Sequence, residues 1–529
     1  MKPLDVLIVG AGFAGLYMLH RMKLAGRSAQ IVDESGGVGG VWYKNRYPGA
    51  RCDVESLQYS YSFDNDLQQE WRWTERYASR AEILSYIEHV VERFGLRDGI
   101  RLNTSVEAAD FDFKTKRWLV RTTTGEGFSA QFLVLATGSL TMPNVPDITG
   151  LDSFAGKVLH TAQWPQEPID FTGKKVAVVG TGSTGIQVIS EVAKYAADLT
   201  VFQRTANYAL PMRNQPLTPE MDREWKANYL ERRSRARELP TGVFGDFNDV
   251  SALSVTDDER RQEYERRWAL GGFQIMMAYN DFLTNQKAND TIAEFVRSKI
   301  RARVHDPETA RKLLPNEFPI GTKRVCLEDS YYDAFNRPNV HLVALKEEPI
   351  VEIFPNGIRT SQKFVEVDTF IFATGFDAIT GSVAKVNIRG ALAENLSQHW
   401  KGGPRSLFGL GVSGFPNLFL VSGPGSPIGR SNAVTSIEQN VGFIADIISF
   451  AGDHGYSTVE PSSEAQDRWV ENLAELAHRT LYMKAKSWWN GSNIEGKARV
   501  FMIYAGGVPS YLAACNEEKD SGFPNYIFG

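Results

Sequence analysis

The chain has 529 residues, 43% hydrophobic and 23% charged, long enough for two to four domains and unlike disordered, collagen-like or disulfide-stapled chains. Lysine and arginine number 58 against 63 acidic residues, a formal charge of −5 that supplies no general field for nucleic acid or an anionic membrane. Any anion site must therefore be local.

Three cysteines, Cys52, Cys326 and Cys515, are too few for a disulfide framework, and none stands in a CxxC pair, which argues against a thiol-disulfide redox centre. The apolar opening before Gly10 is too short for a signal-peptide core or a membrane span, and no longer apolar run follows. A cytoplasmic location is expected.

The first 35 residues read as strand, glycine turn, helix and second strand, a βαβ unit. Gly10, Gly12 and Gly15 fit GxGxxG, and Asp33 closes the second strand about 20 residues on, the arrangement of a dinucleotide fingerprint. The first glycine allows the tight turn, the second lets backbone approach a pyrophosphate, and the third lets helix pack on strand. A carboxylate at Asp33 would accept bonds from a ribose diol and repel a 2′-phosphate, which selects FAD or NAD over NADP. Two strands end in Ala-Thr-Gly, at Thr137-Gly138 and Thr374-Gly375, turns that let backbone pass close to a cofactor.

The same syntax recurs at Gly180, Gly182 and Gly185, so two dinucleotide sites are expected. Here the acid is missing, and Arg204 with Thr205 stands at the end of the second strand. Arginine offers a planar fork of donors to a 2′-phosphate, so this site reads as selective for NADPH. From about Leu217 to Leu314 the chain is rich in Arg, Glu and Ala and reads as an inserted helical subdomain, with capping-box spacing from Thr256 to Glu259 starting one helix. The basic run Arg232, Arg233, Arg235 and Arg237 is flanked by glutamates and reads as a solvated helix face. Near the end, Gly423 and Gly425 open another strand-loop-helix unit able to approach a flavin ring.

Just before the second glycine loop stand Phe154, Gly156, His160, Trp164 and Pro165, which fit FxGxxxHxxxWP. With the flanking GGVWYKNRYPGARCDVES, GTKRVCLED and SWWNGSNIEGK, the chain resembles the type I Baeyer–Villiger monooxygenases over nearly its whole length, and most of all the phenylacetone and cyclohexanone branch. The resemblance implies FAD reduced by NADPH, reaction with O2 to a C4a-peroxyflavin, and attack on a ketone to a Criegee adduct that rearranges to an ester or lactone. It implies Arg324 as the active-site arginine and Asp53 as its carboxylate partner. Gly40 and Trp42 fall among the FAD contacts, Lys323 near the NADP 2′-phosphate, Trp488 in the loop that closes over NADP, and His160 in the linker coupling the two halves.

Ser426, Pro427 and Arg430 match the loop lining the ketone pocket; Arg430 departs from the family's small or apolar residue there and faces either the pocket or solvent. The expected fold is α/β with two Rossmann-like dinucleotide-binding domains, each from discontinuous segments, and a helical insertion. The expected boundaries are 1–140 with 375–529 for FAD, 141–213 with 320–374 for NADP, and 214–319 for the helices. Expected partners are a small ketone and O2, with no metal, nucleic acid, membrane or obligatory protein. Three alternatives stand beside this reading: a related monooxygenase of amine or sulfide heteroatoms, a pyridine-nucleotide disulfide reductase, and a redox-silent FAD module.

Overall fold

The computed structural model describes residues 2–529. Its first sheet is built on strand Lys2–Val9, whose Val6, Leu7 and Ile8 are fully buried, as a strand covered on both faces requires. That strand pairs in parallel with Ala29–Val32 on one side and Gly127–Leu135 on the other. The first half of Gly127–Leu135 also pairs with the antiparallel strand Arg117–Thr122. Its second half is joined instead by Leu418–Leu420, some 290 residues further along, with Leu418 opposite Leu133. The long helix Ala433–Asp453 then packs on helix Phe13–Leu24, and Arg21 reaches Asp446 at 3.3 Å.

The second sheet is wholly parallel, in the order Val340–Ala344, Asp198–Gln203, Lys175–Val179, Thr369–Phe372, Lys157–His160. The chain thus builds two Rossmann-like units, each completed by late-arriving strands. No described helix is long and apolar enough to cross a membrane.

The segment between them is helical: Pro219–Ala227, Tyr229–Arg237, Asp257–Leu270, Gln286–Arg303 and Pro307–Leu313. Thr256 and Glu259 form the expected capping box, each side chain bonding the other's backbone N–H. The basic run corrects the sequence reading in one position. Arg232, Arg235 and Arg237 lie at or near the surface, whereas Arg233 is buried. Its guanidinium donates to Gln58 O at 2.7 Å, to Leu57 O at 3.1 Å and to Ser60 Oγ at 2.7 Å. A charge run spread over helical spacing puts one member on the inner face, and that member is tolerated because acceptors await it. Arg233→Ala is expected to lower stability by about 1.5–3 kcal/mol, the worth of a charged hydrogen bond, through the loss of these contacts. An unchanged melting temperature would reject this role.

Candidate functional site

The two glycine loops are near copies. Gly10 has φ of +110° and a Cβ there would lie 2.4 Å from Ala136 O; Gly180 has φ of +111° and would lie 2.4 Å from Ala373 O. Each loop's first glycine therefore presses on the alanine of an Ala-Thr-Gly turn, which explains why those turns recur. Gly15 and Gly185 press in turn on the carbonyls of Gly10 and Gly180, where added Cβ atoms would sit 1.8 and 2.2 Å away. Gly12 and Gly182 are the N-caps of helices Phe13–Leu24 and Ser183–Val192, and neither helix start has a side-chain cap. A Cβ at Gly182 would meet nothing within 4 Å. An uncapped helix start, with its N–H groups and positive dipole end, suits a pyrophosphate at each loop; the space before it is open at Gly182, while at Gly12 an added Cβ would meet Gly40 at 3.6 Å.

Gly10, Gly12, Asp33, Gly40 and Trp42 line one cavity of about 280 Å³, together with Tyr59, Thr137, Gly138, Ala162 and Ile428. Trp42 donates from Nε1 to Tyr59 Oη at 3.2 Å. Gly40 has φ of +56° and approaches Gly12, where a Cβ would lie 3.2 Å from Gly12 Cα. Asp33 is buried and accepts from Ala11 N–H and Ser35 N–H, both at 2.7 Å, so it fixes the loop as well as facing the cavity. The next residue, Glu34, went unread in the sequence although it stands one position on. It also lines the cavity and is bridged by Lys44 and Lys385. Burial works against its charge, but the bonds from both lysines prevail and bring its pKa down to about 2.

Asp53 and Arg324, 271 residues apart, meet in a bidentate pair: Nε to Oδ2 at 2.8 Å and Nη2 to Oδ1 at 2.6 Å. The third guanidinium nitrogen, Nη1, donates to Gly429 O at 3.1 Å, and the Phe273 ring centroid lies 5.2 Å from Cζ. Burial pushes the Arg324 pKa down and Asp53 pushes it up; the carboxylate wins, so the group stays charged. Neither Phe273 nor Gly429 carried a sequence signal of its own.

The fingerprint residues pack on the second unit, along strand Thr369–Phe372 and the turn after it. Phe154 packs edge-on against Phe370 at 4.5 Å, and a Cβ on Gly156 would lie 2.4 Å from Asp368 O. His160 ends strand Lys157–His160, accepts from Ala162 N–H through Nδ1 at 3.1 Å, and holds Nε2 3.4 Å from Thr374 Oγ1. It therefore touches the second Ala-Thr-Gly turn, while Ala162 lines the first cavity. Burial lowers its pKa, which favours neutral imidazole. Trp164 is buried beside Phe171.

At the second loop, Arg204 and Thr205 follow strand Asp198–Gln203, with Arg204 exposed and Thr205 O accepting from Thr181 Oγ1 at 3.1 Å. Lys323 lies over the Phe318 ring at 4.2 Å, and burial followed by the charge of Arg204 lowers its pKa.

The loop after Gly425 divides its residues. Ser426 is buried and its hydroxyl donates to Gly423 O at 2.8 Å, so it braces the loop itself. Pro427 borders a separate cavity of about 200 Å³ with Arg237 and Glu438, and Ile428 lines the first cavity. Arg430 is half-buried, donates from Nη1 to Ala505 O at 2.8 Å and stacks over Tyr482 at 4.8 Å. Its partners come from the C-terminal loop of its own chain. Trp488 and Trp489 pack under Gly429, whose φ is +86°, and a Cβ there would lie 2.7 Å from Trp488 Cη2. Gly429→Ala is expected to loosen residues 481–505 and the bond to Arg324, at a cost of at least about 1 kcal/mol from the left-handed backbone alone. Faster limited proteolysis in that segment checks this; a digestion pattern identical to the parent's refutes it.

The described residues contain no His, Cys, Asp and Glu group suited to a metal ion. All three cysteines are buried and free, and burial raises each thiol, Cys326 and Cys515 to about 12. Reactive thiolates are thereby disfavoured.

Residues 7–233 match the family described as pyridine nucleotide-disulphide oxidoreductase. Over 527 residues the chain is 40% identical to a phenazine N-monooxygenase of Lysobacter antibioticus, covering 99% of this chain and 96% of that protein. Identity and coverage are the same for a Baeyer-Villiger monooxygenase of Pseudooceanicola batsensis. Among solved structures, an oxidized steroid monooxygenase bound to NADP is 46% identical with a TM-score of 0.96, covering 100% of this chain and 99% of that one.

Proposed function

The chain belongs to the Baeyer–Villiger monooxygenases, and from that membership we propose that it consumes NADPH and O2 to convert a ketone into an ester or lactone, with FAD as its cofactor. Overall, NADPH, a proton, O2 and the ketone give NADP+, water and the ester. FAD, when bound, supplies the acceptance of two electrons from NADPH and the activation of O2. The rest falls to the protein.

In our reading, residues 1–140 and 375–529 hold FAD through the first glycine loop, Asp33, Gly40 and Trp42. Residues 141–213 and 320–374 hold NADPH through the second loop, Arg204, Thr205 and Lys323, with Trp488 closing over it; 214–319 form the helical insertion. His160 links the two by touching Thr374 beside one loop while its neighbour Ala162 lines the other cavity. The enzyme acts in the cytoplasm on a small ketone without a nucleic-acid, membrane or protein partner.

The observation that carries the reaction type is the Asp53–Arg324 pair. When oxygen adds to a ketone, negative charge develops on the carbonyl oxygen, and a permanently charged guanidinium held in place stabilises it without reorganising. Asp53 fixes the plane of that guanidinium through two bonds, and Gly429 O holds its far nitrogen.

The deciding experiment incubates the flavin-loaded enzyme with NADPH, 18O2 and linear, cyclic, aryl and steroidal ketones, read by mass spectrometry. A singly labelled ester is expected. Because one relative is named for N-oxygenation of a phenazine, phenazine joins the panel. An N-oxide without any ester would establish the heteroatom reading instead.

A further inference from the structure

Strands Asp198–Gln203 and Val340–Ala344 run side by side, with Gln203 opposite Ala344 and Leu345 N–H donating to Gln203 O at 2.8 Å. Residues just past both strand ends, Arg204 and Lys346, therefore emerge next to one another. Lys323 arrives from a third segment, and the charges of both Arg204 and Lys346 act on its ammonium. Three cations gathered at one edge of a sheet repel each other and are favoured only where an anion is received.

The acids nearby are otherwise engaged, except one. Glu347 is held by Arg311 at 2.8 Å, and Glu348 accepts from Thr360 Oγ1 at 2.6 Å. Glu317, one residue before the Phe318 ring that carries Lys323, pairs with Lys346 at 2.6 Å. The two side chains of this pair are 43% and 58% exposed, so water screens the pair and little stability is lost when it opens. A phosphate dianion outcompetes one such carboxylate for a lysine, since it carries more charge and three strong acceptor oxygens.

We propose that Lys346 is a third cation of the seat for the coenzyme's 2′-phosphate, and that Glu317 competes with that phosphate for it. This rests on the reading of Arg204 as a 2′-phosphate contact. Glu317 thereby sets how tightly the seat grips: it weakens the hold on the phosphate-bearing coenzyme and leaves the coenzyme without a 2′-phosphate unaffected.

The test is calorimetric titration of the flavin-loaded enzyme with 2′,5′-ADP (adenosine 2′,5′-bisphosphate) and 5′-AMP, which differ only in the 2′-phosphate. Lys346→Gln is expected to weaken 2′,5′-ADP about three- to ten-fold and to make its salt dependence shallower, with 5′-AMP unchanged. Glu317→Gln is expected to tighten 2′,5′-ADP by a similar factor. Both positions are about half exposed, and an unaltered flavin spectrum verifies that each variant is folded. If Arg204→Gln weakens 2′,5′-ADP while Lys346→Gln and Glu317→Gln do not change it, the inference is overturned and the Arg204 reading stands. If none of the three changes the preference for 2′,5′-ADP over 5′-AMP, both fall.

Discussion

Replacing Arg324 by alanine is expected to reduce ester or lactone formation at least about 10²–10³-fold while FAD stays bound. That factor is the usual loss on removing one preorganised donor from a developing oxyanion. Alanine removes the donor and also leaves the Asp53 carboxylate without its two bonds from Nε and Nη2. An unpaired carboxylate in that position repels the charge that develops on the ketone oxygen, so the two effects add. Arg324→Lys separates them, because it restores charge without the planar fork that spans both Asp53 oxygens and Gly429 O. Lysine is expected to recover part of the activity and alanine none. Product per NADPH consumed is the decisive readout, with flavin absorbance reporting FAD retention. Ester yield from Arg324→Ala at the parent's level would remove this residue from the mechanism.

Arg204→Ala is expected to lower kcat/KM for NADPH by about ten- to a hundred-fold and to leave NADH within a small factor of the parent. A charged bidentate contact is worth about 1.5–3 kcal/mol, and only NADPH carries the 2′-phosphate that would receive it. Arg204 is exposed just past a strand end and makes no ion pair with a carboxylate among the described residues, so its removal spares the fold. Initial rates with each coenzyme at several concentrations decide the matter. Equal kcat/KM for NADPH and NADH in the unmodified enzyme would sink the assignment before any variant is made.

What the sequence alone determined is what short stretches of chain can encode. Both glycine loops, the Asp33 and Arg204 strand ends and the Thr256–Glu259 capping box each lie within about 25 residues, where backbone geometry dictates residue type directly. Arg324 and Asp53 were legible only through family resemblance, because nothing in either local segment announces a partner 271 residues away. Charge and burial were decided by the tertiary structure. Arg233 reads as solvated within its run, and only the approach of the Leu57–Ser60 backbone makes it an interior donor. Arg430, open in the sequence between pocket and solvent, is claimed by Ala505 O and Tyr482 of the C-terminal loop. Gly429 joins that loop to Arg324, and Lys346 comes beside Arg204 because parallel strands bring their ends together regardless of separation along the chain. Local sequence specifies turns and helix starts since those depend on near neighbours; whether a charge is buried, paired or free depends on which distant backbone arrives beside it.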